Sequence, residues 1–298
     1  MSDATPRIEN APYHALHHAG LTVEGWSRAG IQTVWRVPEL KVGFDLGAIP
    51  WDFTPTGTWF LTHGHLDHLM ALPGLVGRRA MLKLAPPLVH VPAAILNDVQ
   101  NLLTAWEALD RGKQPCELIG VKPGDRVTIS RDHFVTAFPT AHPVPSQGYV
   151  VWEQRRKLKP EYVGLSSDEL KRLRESGTPM TNDVEVPLVC YTGDTGPAGV
   201  DGEPALYAAK VLIIEMSFAR PEHSKDRIHA FGHLHLDDFA ERADRFQNEL
   251  IVASHTTSRD EPAHFQQWVN ERLPVGLRER VRVWGVGPVG VEPTSKAL

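Results

Sequence analysis

Six consecutive residues, His63-Gly64-His65-Leu66-Asp67-His68, offer this chain its most direct route to chemistry. They follow a short β-rich run at 58–61, so the first histidines leave the end of a strand. An extended or turning segment sends alternate side chains to one side, so His63 and His65 can reach one ion together. The chain then turns into a helix-like stretch, 66–84, which lets Asp67 and His68 face a second ion nearby. Imidazole and carboxylate suit Zn²⁺, and also Mn²⁺ or Fe²⁺. Only two cysteines are present, Cys116 and Cys190, far apart and in no Cys-x-x-Cys pattern. A disulfide framework is therefore not expected, and any metal must be held by histidine and carboxylate.

Two ions need more than four ligands. His142 follows a predicted strand at 134–138 and precedes Pro143. Asp194 follows Tyr191-Thr192-Gly193, and its carboxylate could bridge both ions. His255 follows a predicted buried strand at 250–253. A loop His or a turn Asp taken singly is usually just solvated. Taken with the first run, these three complete a two-metal site.

The elements that must position these residues read as α/β. Short β-rich runs at 21–26, 31–37 and 41–45 come first. Gly74 and Gly77 weaken the middle of the 66–84 helix. A strand at 89–91 follows, and Pro92 sits well as a first helical residue. Ile95, Val99, Leu102, Leu103, Trp106 and Leu109 then recur at helical spacing. Strands are expected at 149–152, 187–191, 210–214 and 281–284, and helices at 236–246 and 261–273. Leu236, Phe239, Ala240, Ala243 and Phe246 fall on one face of the first of these helices. No internal repeat of fixed period is visible. Two groups of strands interleaved with helices suggest a four-layer sandwich, although periodicity alone does not choose it over other α/β folds.

Residues 153–187 differ in character. They contain the basic run Arg155-Arg156-Lys157-Leu158-Lys159 and the capping-box spacing Ser166 to Glu169, which opens a short charged helix. This stretch is expected to project from a single domain spanning 1–298. The net charge of −5 announces no general basic field for a nucleic acid. No apolar run approaches the roughly 20 residues needed to span a bilayer. Residues 1–12 lack a basic-then-apolar leader pattern, so a soluble, cytoplasmic protein with no membrane partner is expected.

The full pattern resembles the metal signature of the metallo-β-lactamase superfamily. More narrowly, the chain is similar to ribonuclease Z, the tRNA 3′-processing endonuclease, in its short plant-type form. The narrower likeness rests on Gly43-Phe44-Asp45-Leu46-Gly47, Ser146-Gln147-Gly148-Tyr149-Val150-Val151, Arg155–Lys159, Gly164-Leu165-Ser166 and Phe231-Gly232-His233-Leu234-His235. It extends from about residue 21 to 285. The resemblance implies the αββα metallo-β-lactamase sandwich with a short inserted arm at 153–187. It implies one zinc on His63, His65 and His142 and another on Asp67, His68 and His255, with Asp194 and a hydroxide bridging them. It further implies an RNA substrate, namely a pre-tRNA, and a homodimer in which one subunit's arm presents RNA to the other's site. Three departures stand out. Glu215-Met216-Ser217 replaces Glu-Ala-Thr or Glu-Ser-Thr, Thr256-Thr257-Ser258-Arg259-Asp260 replaces Phe-Ser-x-Arg-Tyr, and the long Gly-Pro-rich arm is absent.

Two cations sharing a water generate hydroxide near neutral pH and stabilise charge on a phosphodiester. Attack on phosphorus expels the 3′ oxygen, which needs a proton. His233, oriented by Glu215, is the candidate general acid, with Asp67, His233 and Glu215 as the catalytic set. His233 could instead be solvated or cap the helix beginning at Leu236. Arg155–Lys159 with Lys171, Arg172 and Arg174 could bind phosphates or form an ordinary charged face. Phe138, Tyr149 and Trp152 could stack bases or pack in the core. The same ligands would also serve a hydrolase of a small phosphodiester, thioester or lactone, or a silent binding protein on this scaffold.

Overall fold

The computed structural model describes residues 13–286; residues 1–12, on which the leader expectation falls, lie outside them. Two seven-stranded sheets follow each other along the chain. The first holds β1 (His14–His18), β2 (Leu21–Arg28), β3 (Gln32–Val37), β4 (Val42–Phe44), β5 (Thr58–Phe60), β6 (Leu88–Pro92) and β7 (Glu117–Val121). The second holds β8 (Arg126–Thr128), β9 (His133–Pro139), β10 (Gln147–Leu158), β11 (Thr181–Tyr191), β12 (Val211–Glu215), β13 (Leu250–Ser254) and β14 (Val281–Val283). In each sheet the first four strands pair antiparallel and the last four parallel. The chain is thus a topological repeat, which no residue period reveals because the two halves share connectivity rather than a fixed spacing.

Alternation along the strands builds the layers. On β12, Val211 and Ile213 point between the sheets with Trp35, Phe44, Phe60, Tyr149 and Tyr191. Leu212 and Ile214 point the other way, against Phe239 and Phe265 of the helices outside the second sheet. On β6, Val89 and Val91 face Leu72, Leu75, Val99 and Leu103 of the helices outside the first sheet. Strands buried on both faces read as continuous apolar runs. The result is the expected four-layer helix–sheet–sheet–helix sandwich.

Several elements differ from expectation. The 66–84 helix is two helices, Leu66–Leu69 and Leu72–Met81. Its break falls at 70–71, before Pro73, rather than at the glycines. Pro92 ends β6, and a 3₁₀ turn at Ala93–Ile95 precedes the helix Leu96–Asp110. The expected 236–246 helix stops at Glu241 and continues as a 3₁₀ turn. β1, β7 and β8 lie in segments where no strand was expected.

The arm is built differently from a helical insertion. β10 and β11 run past the sheet as one antiparallel ladder, pairing Arg155 with Val184 and Leu158 with Thr181. A register shift at Val151/Trp152, opposite Pro187, bends them where they leave the core, as suits a residue with no N–H to give. The tip carries the helix Ser167–Glu175, opened by the expected Ser166–Glu169 capping box. No residue from 153 to 187 is buried. Among the described residues, no helix is long and apolar enough to cross a membrane.

Candidate metal centre

The site sits at the carboxyl ends of parallel strands, where open α/β sheets gather ligands. Asp45 follows β4, His63 follows β5, Asp194 follows β11, Glu215 ends β12 and His255 follows β13. His142 comes from the loop after β9. Two glycines let these segments meet. Gly193 has φ +60°, and a Cβ there would lie 2.7 Å from Thr62; Gly232 has φ +70°, and its Cβ would lie 2.7 Å from Cα of His142.

All seven expected ligands converge in two groups. His63, His65, His142 and Asp194 form one, and Asp67, His68 and His255 the other; donor atoms within each lie within 4.8 Å of one another. In the first, His65 Nδ1 stands 3.1 Å from His63 Nε2 and 3.4 Å from His142 Nε2, and His63 Nε2 lies 3.8 Å from Asp194 Oδ2. In the second, His255 Nε2 lies 3.3 Å from His68 Nε2 and 3.4 Å from Asp67 Oδ2. Asp194 Oδ1 stands 3.4 Å from His68 Nε2 and 3.3 Å from His255 Nε2. The two oxygens of Asp194 therefore face different groups.

The ring orientations are set from behind. His68 Nδ1 donates to Asp45 at 2.7 Å. His63 Nδ1 is 3.0 Å from the Thr62 hydroxyl, which donates onward to Asp45. His142 Nδ1 meets the Gly232 carbonyl at 3.1 Å, and His255 Nδ1 meets the Ser217 hydroxyl at 3.0 Å. An imidazole that donates from Nδ1 keeps its Nε2 lone pair for the centre. His65 is the exception and presents Nδ1. Asp67 is anchored by the Gly30 N–H, which donates to Oδ2 at 2.8 Å.

The donor set fits divalent metal ions. Two ligand atoms each about 2.0–2.1 Å from a tetrahedral ion stand about 3.3 Å apart, close to the spacings here. Asp194 Oδ1 is buried without a hydrogen-bond partner, a costly arrangement unless a cation satisfies it. Electrostatics agree. Burial opposes ionisation of Asp194, but His255, His68 and His63 hold its carboxyl below the usual carboxylate range. Burial, then the charge of His68, pushes His63 well down toward the neutral imidazole that a ligand needs. His68 departs from this: burial disfavours its charge, yet Asp194 and Asp45, carboxylates on either side of the ring, raise its pKa to about 9.

Beside this centre lies the pair expected to move a proton. His233 Nδ1 stands 3.1 Å from Glu215 Oε1, which leaves Nε2 for a reacting group. Glu215 also accepts from Thr195 N–H at 2.6 Å, Leu234 N–H at 3.1 Å and the Ser217 hydroxyl at 2.5 Å. Ser217 thus makes its two bonds through a hydroxyl, the group that a threonine there would also supply. Burial opposes a charge on His233, but Glu215 and Asp194 raise its pKa to about 9. The helix cap is His235, which bonds Asp237 N–H and shares a capping box with Asp238. His233 is therefore not the cap. It also comes within reach of Asp194 and His255.

Two sets of residues were not singled out beforehand. Asp45 is fully buried, has φ +53°, and takes 2.7 Å bonds from His68 Nδ1 and Thr62 N–H and one of 2.6 Å from the Tyr191 hydroxyl. Its signal was an acid at a strand end within Gly43–Gly47. Ser27, near the end of β2, and Gly30, in the β2–β3 turn, hold His255 N–H and Asp67; no local pattern marks them. Of the possible base stackers, Phe138 and Tyr149 are core, and Trp152 lies flat on Phe134 at 6.0 Å. Replacing Asp45 with asparagine is expected to weaken metal binding 10–100-fold, the range for a residue that orients a ligand; competition with a chromophoric chelator measures it.

The comparisons with known proteins agree with this geometry. Residues 50–256 match a family model described as Beta-lactamase superfamily domain. The fold is shared with the metallo-beta-lactamase fold protein YhfI of Bacillus subtilis, at 14% identity and TM-score 0.55, covering 87% of this chain and 92% of that one. Human tRNase Z, short form, aligns at 18% identity and TM-score 0.50, covering 81% and 88%. In sequence, tRNase Z TRZ1 of Arabidopsis thaliana is 35% identical over 269 residues, covering 90% of this chain and 96% of that one. The chloroplastic tRNase Z TRZ2 of the same plant is 34% identical over 243 residues, covering 80% and 68%. The chain is therefore a β-lactamase-superfamily hydrolase and belongs to its ribonuclease Z family of endoribonucleases.

Proposed function

We propose that this protein is a zinc-dependent endoribonuclease that cuts tRNA precursors on the 3′ side, acting in the cytoplasm as a homodimer. Asp194, whose two oxygens face separate donor groups, supports the metal hydrolase, and the His233–Glu215 pair together with the 35% identity to tRNase Z TRZ1 supports the RNA substrate. His63, His65 and His142 would hold one ion and Asp67, His68 and His255 the other, with Asp194 shared. Zinc suits this set, as do Mn²⁺ and Fe²⁺. Bound there, such ions would lower the pKa of a coordinated water and offset charge on a phosphodiester. Glu215 holds Nδ1 of His233, so Nε2 donates the proton to the leaving 3′ oxygen.

The arm at 153–187 is the proposed RNA-gripping element. It carries seven basic and seven acidic side chains, so its net charge is not the support. The support is distribution. Arg155 pairs with Glu153 and Arg156 with Asp183. Lys157, Lys159, Lys171, Arg172 and Arg174 have no ion pair among the described residues and are free to meet phosphates.

The test is a pre-tRNA transcript, the metal-analysed protein, and a variant with residues 156–183 replaced by a tight turn. A single mapped cut on the 3′ side is expected, abolished by chelation and restored by zinc. The shortened variant should show a raised KM for the transcript and unchanged turnover of bis(p-nitrophenyl) phosphate. A metal-loaded protein that cuts no precursor, while turning over a thioester or lactone, would sink the RNA assignment. An unchanged KM would sink the role of the arm.

A further inference from the structure

Beyond His233 lie aromatic rings that neither the metal donors nor the core uses. The Phe218 ring stands 6.3 Å from that of His233 and 5.4 Å from that of His223, edge-on. Its backbone is tied on both sides: Phe218 N–H donates to Leu234, and Leu236 N–H donates to Phe218. The loop therefore holds this ring beside the proton donor. Phe231 precedes His233 by two residues and is 55% exposed. The Arg227 guanidinium lies 5.8 Å from its ring centroid. Neither phenylalanine belongs to any of the three core clusters. Single exposed apolar residues are common; an exposed Phe231 and a half-buried Phe218, on the two segments next to one proposed general acid, call for an occupant.

We propose that Phe218 and Phe231 form a base-stacking subsite for the nucleotide that bears the leaving 3′ oxygen. This rests on the reading above, in which RNA is cut and His233 protonates that oxygen. The leaving oxygen must come within hydrogen-bond reach of His233 Nε2, which brings its ribose to this side of the centre. The base attached to that ribose then meets the Phe218 ring, 6.3 Å from that of His233, with exposed Phe231 on the segment leading into His233 as the second face. Unpaired RNA is held in this way, by bases laid on aromatic faces beside cationic side chains. Arg227 supplies the cation and can strengthen the stack through the ring face. Every base has such a face, so the subsite orders the scissile nucleotide without demanding one identity.

The experiment pairs Phe231→Ala and Phe231→Tyr with two precursors, one intact and one abasic at the nucleotide 5′ of the cut. Phe231→Ala and the abasic change should each lower kcat/KM about tenfold, within the range for one lost base stack. Combined, they should cost no more than the larger of the two, and Phe231→Tyr should restore the intact substrate alone. Phe218→Leu, which keeps apolar bulk and removes the flat face, should behave like Phe231→Ala with unchanged metal content. Equal losses on intact and abasic RNA, or no loss on either, would overturn the subsite. If the wild type cuts no precursor, the parent reading fails by itself. Binding of the same two RNAs, followed by anisotropy, then decides the subsite: a preference for intact RNA that vanishes in Phe231→Ala supports it, and equal binding overturns it.

Discussion

Asp194→Asn should abolish the paired metal site and lower turnover of every substrate by about a thousandfold. The reasoning starts from charge. Asp194 is 3% exposed, and its carboxylate lies against His63, His68 and His255. Asparagine keeps the shape and removes the negative charge, and it offers one carbonyl where the carboxylate offers two equivalent oxygens. The amide nitrogen would then face one donor group with N–H bonds, which repel a cation. Loss of metal charge stabilisation is worth several kcal/mol, and each ~1.4 kcal/mol is tenfold in rate. Elemental analysis of dialysed protein, with turnover of both a precursor and bis(p-nitrophenyl) phosphate, makes the measurement. A variant that keeps two ions per chain and full turnover would remove Asp194 from the bridge.

His233→Ala should separate substrates that need a proton on the leaving group from those that do not. Cleavage of a precursor should fall about 10²–10⁴-fold, the usual contribution of a positioned general acid. Bis(p-nitrophenyl) phosphate expels a stable phenolate, so its turnover should change little. Glu215→Gln should show the same split in weaker form, because Gln can still accept from His233 Nδ1 but lacks the charge that keeps the imidazole protonated. If both substrates lose activity equally and metal is lost as well, His233 acts as a ligand. That alternative is physically available, since Asp194, His233 and His255 also converge. Unchanged metal content with a split loss assigns it to proton transfer.

Much of this site was legible because its signals are local. His63, His65, Asp67 and His68 sit within six residues, and their spacing at a strand end already implies two directions of ligation. His142, Asp194 and His255 are each a polar residue just past an apolar run; Asp194 and His255 follow the parallel strands β11 and β13, and His142 follows the antiparallel strand β9. The fold class followed from strand and helix periodicity together with the resemblance. The Ser166–Glu169 cap was visible for the same local reason.

Other features needed three dimensions. Asp45 lies 23 residues from His68 and 146 from Tyr191, so its place at a strand end within Gly43–Gly47 marks it as polar but not as the residue that orients the ligands. Choosing between His233 and His235 turned on which ring meets Glu215 and which bonds Asp237 N–H, a difference of backbone direction after Gly232. The arm's short helix was legible but its ladder was not, because pairing between residues 155 and 184 leaves little periodic trace where no residue is fully buried. The sequence by itself determined which residues could bind metal. Only the tertiary structure decided that Asp194 turns one oxygen to each donor group, because that choice depends on the ends of β5 in one sheet and β11 and β13 in the other delivering their loops to one place.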